Sequence, residues 1–374
     1  MANITIIGSG FAGLTAAKAL RKQLPEAEIS LISPRAELMY APSLIWIPTG
    51  LRKPADLIYP LDRLFRKLAI KQIPATMTGL KDKGRTVITD KGEYIKDYLL
   101  IASGGRYIKK LPGIEHALTI CEGIDPAVKM RDAIANMKTG TIAMGFGGNP
   151  KEPSAMRGGP MFELLFGVET MLQKQGRRDD IHLVFFSPAP QPGKRMGPKA
   201  LDGIMKEMKK RGIETHLGHK MKKFTEKKVV TEGGEFKADL ICFMPGLTGP
   251  AWAADSGLPL SPGGLIQADA YCQVPDHPRV YVAGDSGSFP GPEWQPKQAH
   301  MADLQAEAAA KNIVADICMS PPTATFKNEL ICIVDTLDKG ILVYRTPEKM
   351  MVWPSRFMHW AKRFFEWWYV RKLR

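Results

Sequence analysis

Apolar positions fall in short β-branched runs that alternate with stretches of helical period, the pattern of an α/β chain. The first run, Ile4–Ile7, stops at Gly8-x-Gly10-x-x-Gly13, and "FAGLTAAKALRK" continues at once with helical spacing. A second strand is expected over Glu28–Ser33, followed by an apolar, Pro-rich loop, "LMYAPSLIWIPTG", packed on something flat. From Ile70 to Ile101 short strands joined at Lys91-Gly92 predict a hairpin or meander. This leads into a buried strand, Tyr98–Ala102, that ends at Ser103-Gly104-Gly105. A second α/β segment spans roughly Leu111 to Pro250, and no internal repeat is visible. Beyond it lie the strand "RVYVAGD", a long Ala-rich helix with Pro296 in its first turn, the strand "ELICIVD" and an amphipathic C-terminal helix.

The opening strand–turn–helix gives the glycines their meaning. Gly8 permits the tight turn, Gly10 lets backbone approach a pyrophosphate, and Gly13 lets helix and strand pack closely. With Phe11 and Ala12 they form a phosphate cradle at the N-terminus of a helix, where free N–H groups and the helix dipole favour anions. Ser33, Pro34 and Arg35 stand at the second strand end, where an acid often meets the ribose, so the adenosine contact is less plainly written. The second segment has a glycine turn too, at Gly145, Gly147 and Gly148. Three prolines follow it before any helix, and the next strand ends at Ser187-Pro188 without an acid. That pattern predicts no working nicotinamide-nucleotide site there.

Composition narrows the rest. No apolar run approaches the roughly eighteen residues of a spanning helix, and the chain is expected to carry no signal peptide. Five cysteines without metal-like spacing suggest a reducing compartment and no metal site. A net charge of +14 calls for an acidic partner. The Lys-rich stretch 194–228 lacks aromatic platforms or groove-reading motifs, so nucleic acid is not the partner. The tail is informative: Phe357, Trp360, Phe364, Trp367 and Trp368 recur at three- and four-residue spacing, with Arg356, Lys362, Arg363, Arg371, Lys372 and Arg374 around them and Glu366 as single acid. This is the make-up of an in-plane helix on anionic lipid.

"DYLLIASG" resembles the D-Y-L-x-I-A-T-G segment of two-dinucleotide-domain flavoproteins, with Ser103 in place of Thr, and "RVYVAGDSGSFP" is similar to their V-x-V-x-A-G-D strand end. The resemblance implies FAD, with Asp285 at the ribityl chain. Further FAD contacts are expected from Pro42, Ser43, Ala102, Ser103, Gly104, Gly284, Pro296 and Lys297, the last at a helix start facing the flavin pyrimidine ring. The implied fold is α/β, two nested Rossmann-like domains and a small C-terminal amphipathic membrane-binding region. The expected FAD domain covers 1–110 and 250–325, the second dinucleotide-type domain 111–249, and the C-terminal region 326–374.

Within that group the chain resembles the sulfide:quinone oxidoreductases, and flavocytochrome c sulfide dehydrogenase nearby. "LTICEGID" puts Cys121 where these enzymes keep a cysteine near the flavin dimethylbenzene edge, "ELICIVDTLDKGILV" puts Cys332 on the strand of their redox cysteine, and "FMHWAKRFFEWWYVRKLR" resembles their H-x-A-K-x-x-F-E tail. The resemblance implies oxidation of sulfide or another small sulfur donor by a thiol nucleophile, with electrons passing through FAD to quinone. Cys332 and Cys121 are the catalytic candidates; Cys242, Cys272 and Cys318 read as structural. Tyr344, Trp353 and Phe357 are expected to wall an apolar quinone channel. The second redox thiol of the family is missing: "PSAMRGGPMFE" offers Ala155, Met156 and Arg157 in its place. The expected location is peripheral, monotopic, on the cytoplasmic face of the cell membrane, with a homo-oligomer left open. Three other readings stand beside this one: a type II NADH:quinone dehydrogenase, a sulfide dehydrogenase serving a cytochrome, and a flavin-carrying adaptor without turnover.

Overall fold

A computed structural model describes residues 2–373. The β-branched runs form two parallel sheets of five strands each. In the first, Asn3–Ile7 lies between Glu28–Ile32 and Tyr98–Ile101, with Ile70–Ile73 and Val280–Val282 at the edges. In the second, Gly140–Phe146 lies between Ile181–Ser187 and Leu240–Met244, with Glu214–Leu217 and Ala117–Leu118 at the edges. Each sheet also carries a three-stranded antiparallel meander ahead of its returning strand, over 77–95 and 221–237. The architecture is therefore used twice, although the sequence displays no repeat. What the halves share is the order of apolar runs, and different residues satisfy it.

The meander turn falls at Asp90-Lys91, one residue ahead of the expected Lys91-Gly92, because Gly92 already opens the strand Gly92–Ile95. Helix Phe11–Gln23 packs on Ala299–Ile317 through buried Ala12, Ala16, Ala17, Ala306, Ala309 and Ala310, small enough to bring the two axes close. This long helix begins at Ala299, so Pro296 precedes it instead of occupying its first turn. Pro296 and Lys297 belong to the approach, and Gln298 holds the capping position in an extended conformation.

The C-terminal part is a three-stranded antiparallel sheet, Leu330–Asp335, Gly340–Arg345 and Met350–Ser355, followed by helix Phe357–Arg371. Leu330, Val334, Ile341 and Val343 join the core built on helix Gly159–Lys174, which ties this sheet to the second parallel sheet. No helix among the described residues is long and apolar enough to cross a membrane.

Candidate functional site

The ends of three neighbouring strands make the first part of the site. Gly8 has φ +102°, its N–H donates to the Ile32 carbonyl at 2.8 Å, and a Cβ there would stand 2.4 Å from the Ala102 oxygen. A Cβ on Gly13 would meet the Gly8 oxygen at 2.0 Å, so the turn and the helix can close only without side chains at both positions. Gly10 differs. A Cβ there would meet no protein atom within 4 Å, and it precedes a helix with no side-chain cap. Protein packing explains Gly8 and Gly13; Gly10 leaves room for a phosphate over open N–H groups. Phe11 packs on Tyr40 and Tyr369 at ring-centroid distances of 5.6 and 5.0 Å, and Ala12 faces Gly284.

Around this cradle, Ser33 is buried with its hydroxyl donating to the Arg35 carbonyl at 2.9 Å. Pro34 is exposed, and the Arg35 side chain is 79% exposed in an ion pair with Glu37. Ala102 is buried, Ser103 and Ser286 approach through their hydroxyls at 3.3 Å, and Ser286 donates to the Gly104 carbonyl at 2.9 Å. Pro42 and Ser43 lie on the helical turn Ala41–Trp46, where the Ser43 hydroxyl donates to Glu366 at 2.5 Å and is occupied by the C-terminal helix. Lys297 is buried and its ammonium donates to the Gly287 carbonyl; burial pushes its pKa down to about 8, with Asp285 and Glu152 acting upward. The Gln298 amide nitrogen is buried without a hydrogen-bond partner at the start of the long helix. An open Gly10 flank, uncapped N–H groups and an unsatisfied donor at a second helix start suit an extended dinucleotide cofactor.

The charge of one carboxylate, Glu163, reaches both thiols. Cys332 lies on its expected strand against the start of helix Gly159–Lys174, its Sγ 3.7 Å from where a Gly159 Cβ would be. Burial and the Glu163 charge push its pKa up to about 12. Cys121 sits on the turn Ile120–Glu122, and burial raises it against the pull of Arg157 and Tyr107. Glu163 acts on both thiols, and neither forms a disulfide. Cys242 and Cys272 are buried and raised by burial; Cys318 is exposed. Among the described residues no group of His, Cys, Asp or Glu could hold a metal ion.

Glu163 leads to the C-terminal helix. It forms a buried ion pair with Lys362, and its Oε2 also accepts the Asp335 N–H at 3.2 Å. Burial pushes the Glu163 carboxyl up to about 7, with Lys362 acting downward. Asp335 accepts from Trp46 Nε1 at 2.7 Å and meets His359 Nδ1 at 2.8 Å. Burial acts to raise Asp335, but the contacts with His359, Lys362 and Trp46 prevail and hold it below the usual carboxylate range. Glu366 pairs with Arg52 at 2.8 Å, and the Arg52 guanidinium lies over the Trp46 ring at 5.1 Å. Lys362 is therefore no rim cation of an aromatic stripe: His359, Lys362 and Glu366 form the helix's inward face.

The outward face is apolar. Phe357, Trp360, Phe364, Phe365, Trp367 and Trp368 are all exposed, flanked by Arg363 over Trp360, Arg371 over Trp367 and Lys372 over Trp368. Pairing puts Tyr344 opposite Met351 and Leu342 opposite Trp353, on the sheet face that also exposes Ile331. Trp353 is 54% and Phe357 77% exposed, and Tyr344 is half-buried. The three form part of an open apolar surface, in place of the enclosed channel expected of them.

A family model described as pyridine nucleotide-disulphide oxidoreductase matches residues 2–306. The chain belongs to that family. It is an FAD-binding flavoprotein and an oxidoreductase of α/β fold. The flavoprotein is 26% identical to the sulfide-quinone reductase of Aquifex aeolicus over 355 residues, 89% of this chain and 81% of that one. The solved structure of the sulfide:quinone oxidoreductase from that bacterium superposes with a TM-score of 0.90 at 25% identity, covering 100% of this chain and 92% of the other. The type II NADH:quinone oxidoreductase of Staphylococcus epidermidis is 26% identical over 331 residues, 83% of this chain and 81% of that one. NDH2 of Plasmodium falciparum shares the fold, with a TM-score of 0.76 at 14% identity, over 99% of this chain and 94% of that one.

Several residues around the two thiols escaped the sequence reading: Tyr107, Glu163, Asp335, Trp46 and Arg52, while His359 entered it only within the tail motif. One signal was available. His359, Lys362 and Glu366 are spaced i, i+3, i+7, which is itself a helix face, and it is the buried one.

Proposed function

We propose that the flavoprotein is a sulfide:quinone oxidoreductase, taking electrons from sulfide or another small sulfur donor and giving them to a membrane quinone. The observation that carries this reading is the sharing of Glu163 between the Cys332 strand and Lys362 of the aromatic-faced helix. Donor chemistry and acceptor chemistry would then meet across one buried wall. Bound FAD supplies reversible two-electron transfer between them. Gly8, Gly10, Phe11, Ala12 and Gly13 would hold its pyrophosphate, Ser33 to Arg35 its adenosine end, and Gly284–Asp285 its ribityl chain. In the balance, the donor sulfur loses two electrons and stays bonded to a thiol sulfur, and the quinone gains two electrons and two protons.

The chain's own residues handle the protons. Cys332 rests as the thiol, since burial disfavours its anion, and must give up a proton to act as nucleophile. Glu163 has a carboxyl displaced toward neutrality and can accept or release a proton near pH 7. Lys362 carries that exchange to the helix that meets the lipid. The aromatic face would lie at headgroup depth, with Arg363, Arg371 and Lys372 on anionic lipid. We assign 1–110 with 250–325 to the FAD domain, 111–249 to the second domain, and 326–374 to the membrane and quinone side.

A type II NADH dehydrogenase is the second reading, since such enzymes are among the relatives. The second glycine turn weighs against it. Helix Phe11–Gln23 starts four residues after its strand, whereas Gly159 comes thirteen residues after Phe146. The intervening strap is tied down: the Asn149 amide donates to the Leu247 and Gly263 carbonyls, both at 2.9 Å, and Glu152 accepts from Ser154 and Ser288. A Cβ on Gly148 would stand 2.9 Å from Met156, so the strap itself fills the space over this turn.

The test uses quinone-loaded anionic liposomes. Sulfide should drive quinol formation by the native protein and not by Cys332→Ser, with NADH giving none. Quinol formation that survives Cys332→Ser contradicts the thiol route.

A further inference from the structure

The strap ends in a cation where a second redox thiol was expected. Arg157 has a side chain only 20% exposed, and its Nη1 stands 3.5 Å from Asp285 Oδ2. That is longer than the 2.7–2.9 Å typical of a charge-assisted hydrogen bond. A guanidinium carries five N–H donors, so most of its hydrogen-bonding capacity is left for another partner. Its charge falls on the buried Tyr107 hydroxyl and the Cys121 thiol, which also act on each other. Four separate segments thus bring polar groups to one place: strand Arg106–Tyr107, turn Ile120–Glu122, the strap, and the end of strand Val280–Val282.

The position along the cofactor follows from packing. Gly284 faces Ala12 of the phosphate-binding helix, and a Cβ on Gly105 would come within 3.1 Å of the Asp285 carbonyl oxygen. A path from Gly10 past Gly284 and Asp285 therefore arrives at Arg157 with its neighbours Tyr107 and Cys121. An extended cofactor starting at Gly10 would bring its redox end there. Two-electron reduction adds negative charge to the conjugated flavin ring, and a fixed cation beside that ring in a largely dry site stabilises the charge.

We propose that Arg157 places positive charge against bound FAD and stabilises its two-electron-reduced, anionic form, raising the potential at which the protein accepts electrons. The flavoprotein would thus hold a cation, instead of a second sulfur, on its donor side. The inference rests on the placement of FAD along Gly10 and Asp285.

Anaerobic equilibration of the FAD-loaded protein with a redox dye reads the potential directly. Arg157→Gln should still hold FAD, and its reduced-to-oxidised ratio at a given potential should fall at least tenfold, a shift of about 30 mV for two electrons. Arg157→Lys, which keeps the charge, should recover more than half of that shift. An Arg157→Gln protein with the native potential overturns the proposal. So does one unable to hold FAD, because Arg157 would then serve as a tether for Asp285. The FAD placement fails separately, if Asp285→Asn binds FAD as tightly as the native protein.

Discussion

Gly10 and Gly13 are three residues apart and answer to different constraints. A methyl group on Gly13 collides with backbone, whereas one on Gly10 meets only the space assigned to phosphate. Gly13→Ala should therefore disturb the fold itself, lowering the melting temperature of the apoprotein. Gly10→Ala should leave the apoprotein melting temperature unchanged and weaken FAD at least tenfold, about 1.4 kcal/mol, by titration of the apoprotein. Glu163 allows a test by pH. Its carboxyl rises from 4.5 to about 7 on burial, so between those values the folded protein keeps a proton that the unfolded chain has lost. Stability contributed by this group is full below about pH 4.5 and is lost as pH rises through about 7. Denaturant unfolding across that window should show a flatter pH dependence in Glu163→Gln. The sulfide-driven rate should rise as pH passes through about 7 in the native protein, where Glu163 ionises and can take the Cys332 proton, and this inflection should vanish in the same variant. At this scale the glycines were legible because the strand–turn–helix geometry forces them. Tyr107, Asp335 and Trp46 were not, because their partners lie far along the chain: Trp46 meets Asp335 across 289 positions.

The C-terminal helix is apolar outside and charged inside. Its aromatic stripe could be read from residue spacing, and so could the membrane hypothesis. The buried face was hidden because His359, Lys362 and Glu366 look like ordinary surface residues until Asp335, Glu163 and Arg52 are packed against them. Such a helix separates two effects that usually travel together. Replacing Trp367 and Trp368 by Ser should abolish flotation with anionic liposomes, while each exposed site changes folding stability by no more than about 0.5 kcal/mol. Lys362→Met should do the opposite: it removes the cation of the buried Glu163 pair, so stability by denaturant unfolding falls, most of all above about pH 7 where that carboxyl would otherwise be charged, while flotation persists. The strand carrying Cys332 was placed correctly from sequence, but the role proposed for that thiol depends on Glu163, which comes from a helix and lies 172 positions from its partner Asp335.

At the level of the whole molecule, two copies of one architecture have diverged in the use of their glycine turns. The first leaves its turn open beside an uncapped helix; the second covers its turn with the strap 147–158 and sends Arg157 back toward Asp285. The order of apolar runs made both α/β units legible, and the prolines after Gly148 announced that the second turn would not open a helix. Where the strap goes was not legible, since Asn149, Glu152 and Arg157 acquire meaning only against Gly263, Ser288 and Asp285. In the proposed scheme one unit takes FAD, the other has no nicotinamide-nucleotide site, and a sheet and helix link a thiol to the lipid surface. Anaerobic rapid mixing of the FAD-loaded protein with sulfide or with NADH, in the absence of quinone, tests it most directly through the visible flavin band. Sulfide should bleach the band, Cys332→Ser should prevent this, and NADH at equal concentration should leave it unchanged; bleaching by NADH with none by sulfide contradicts the account.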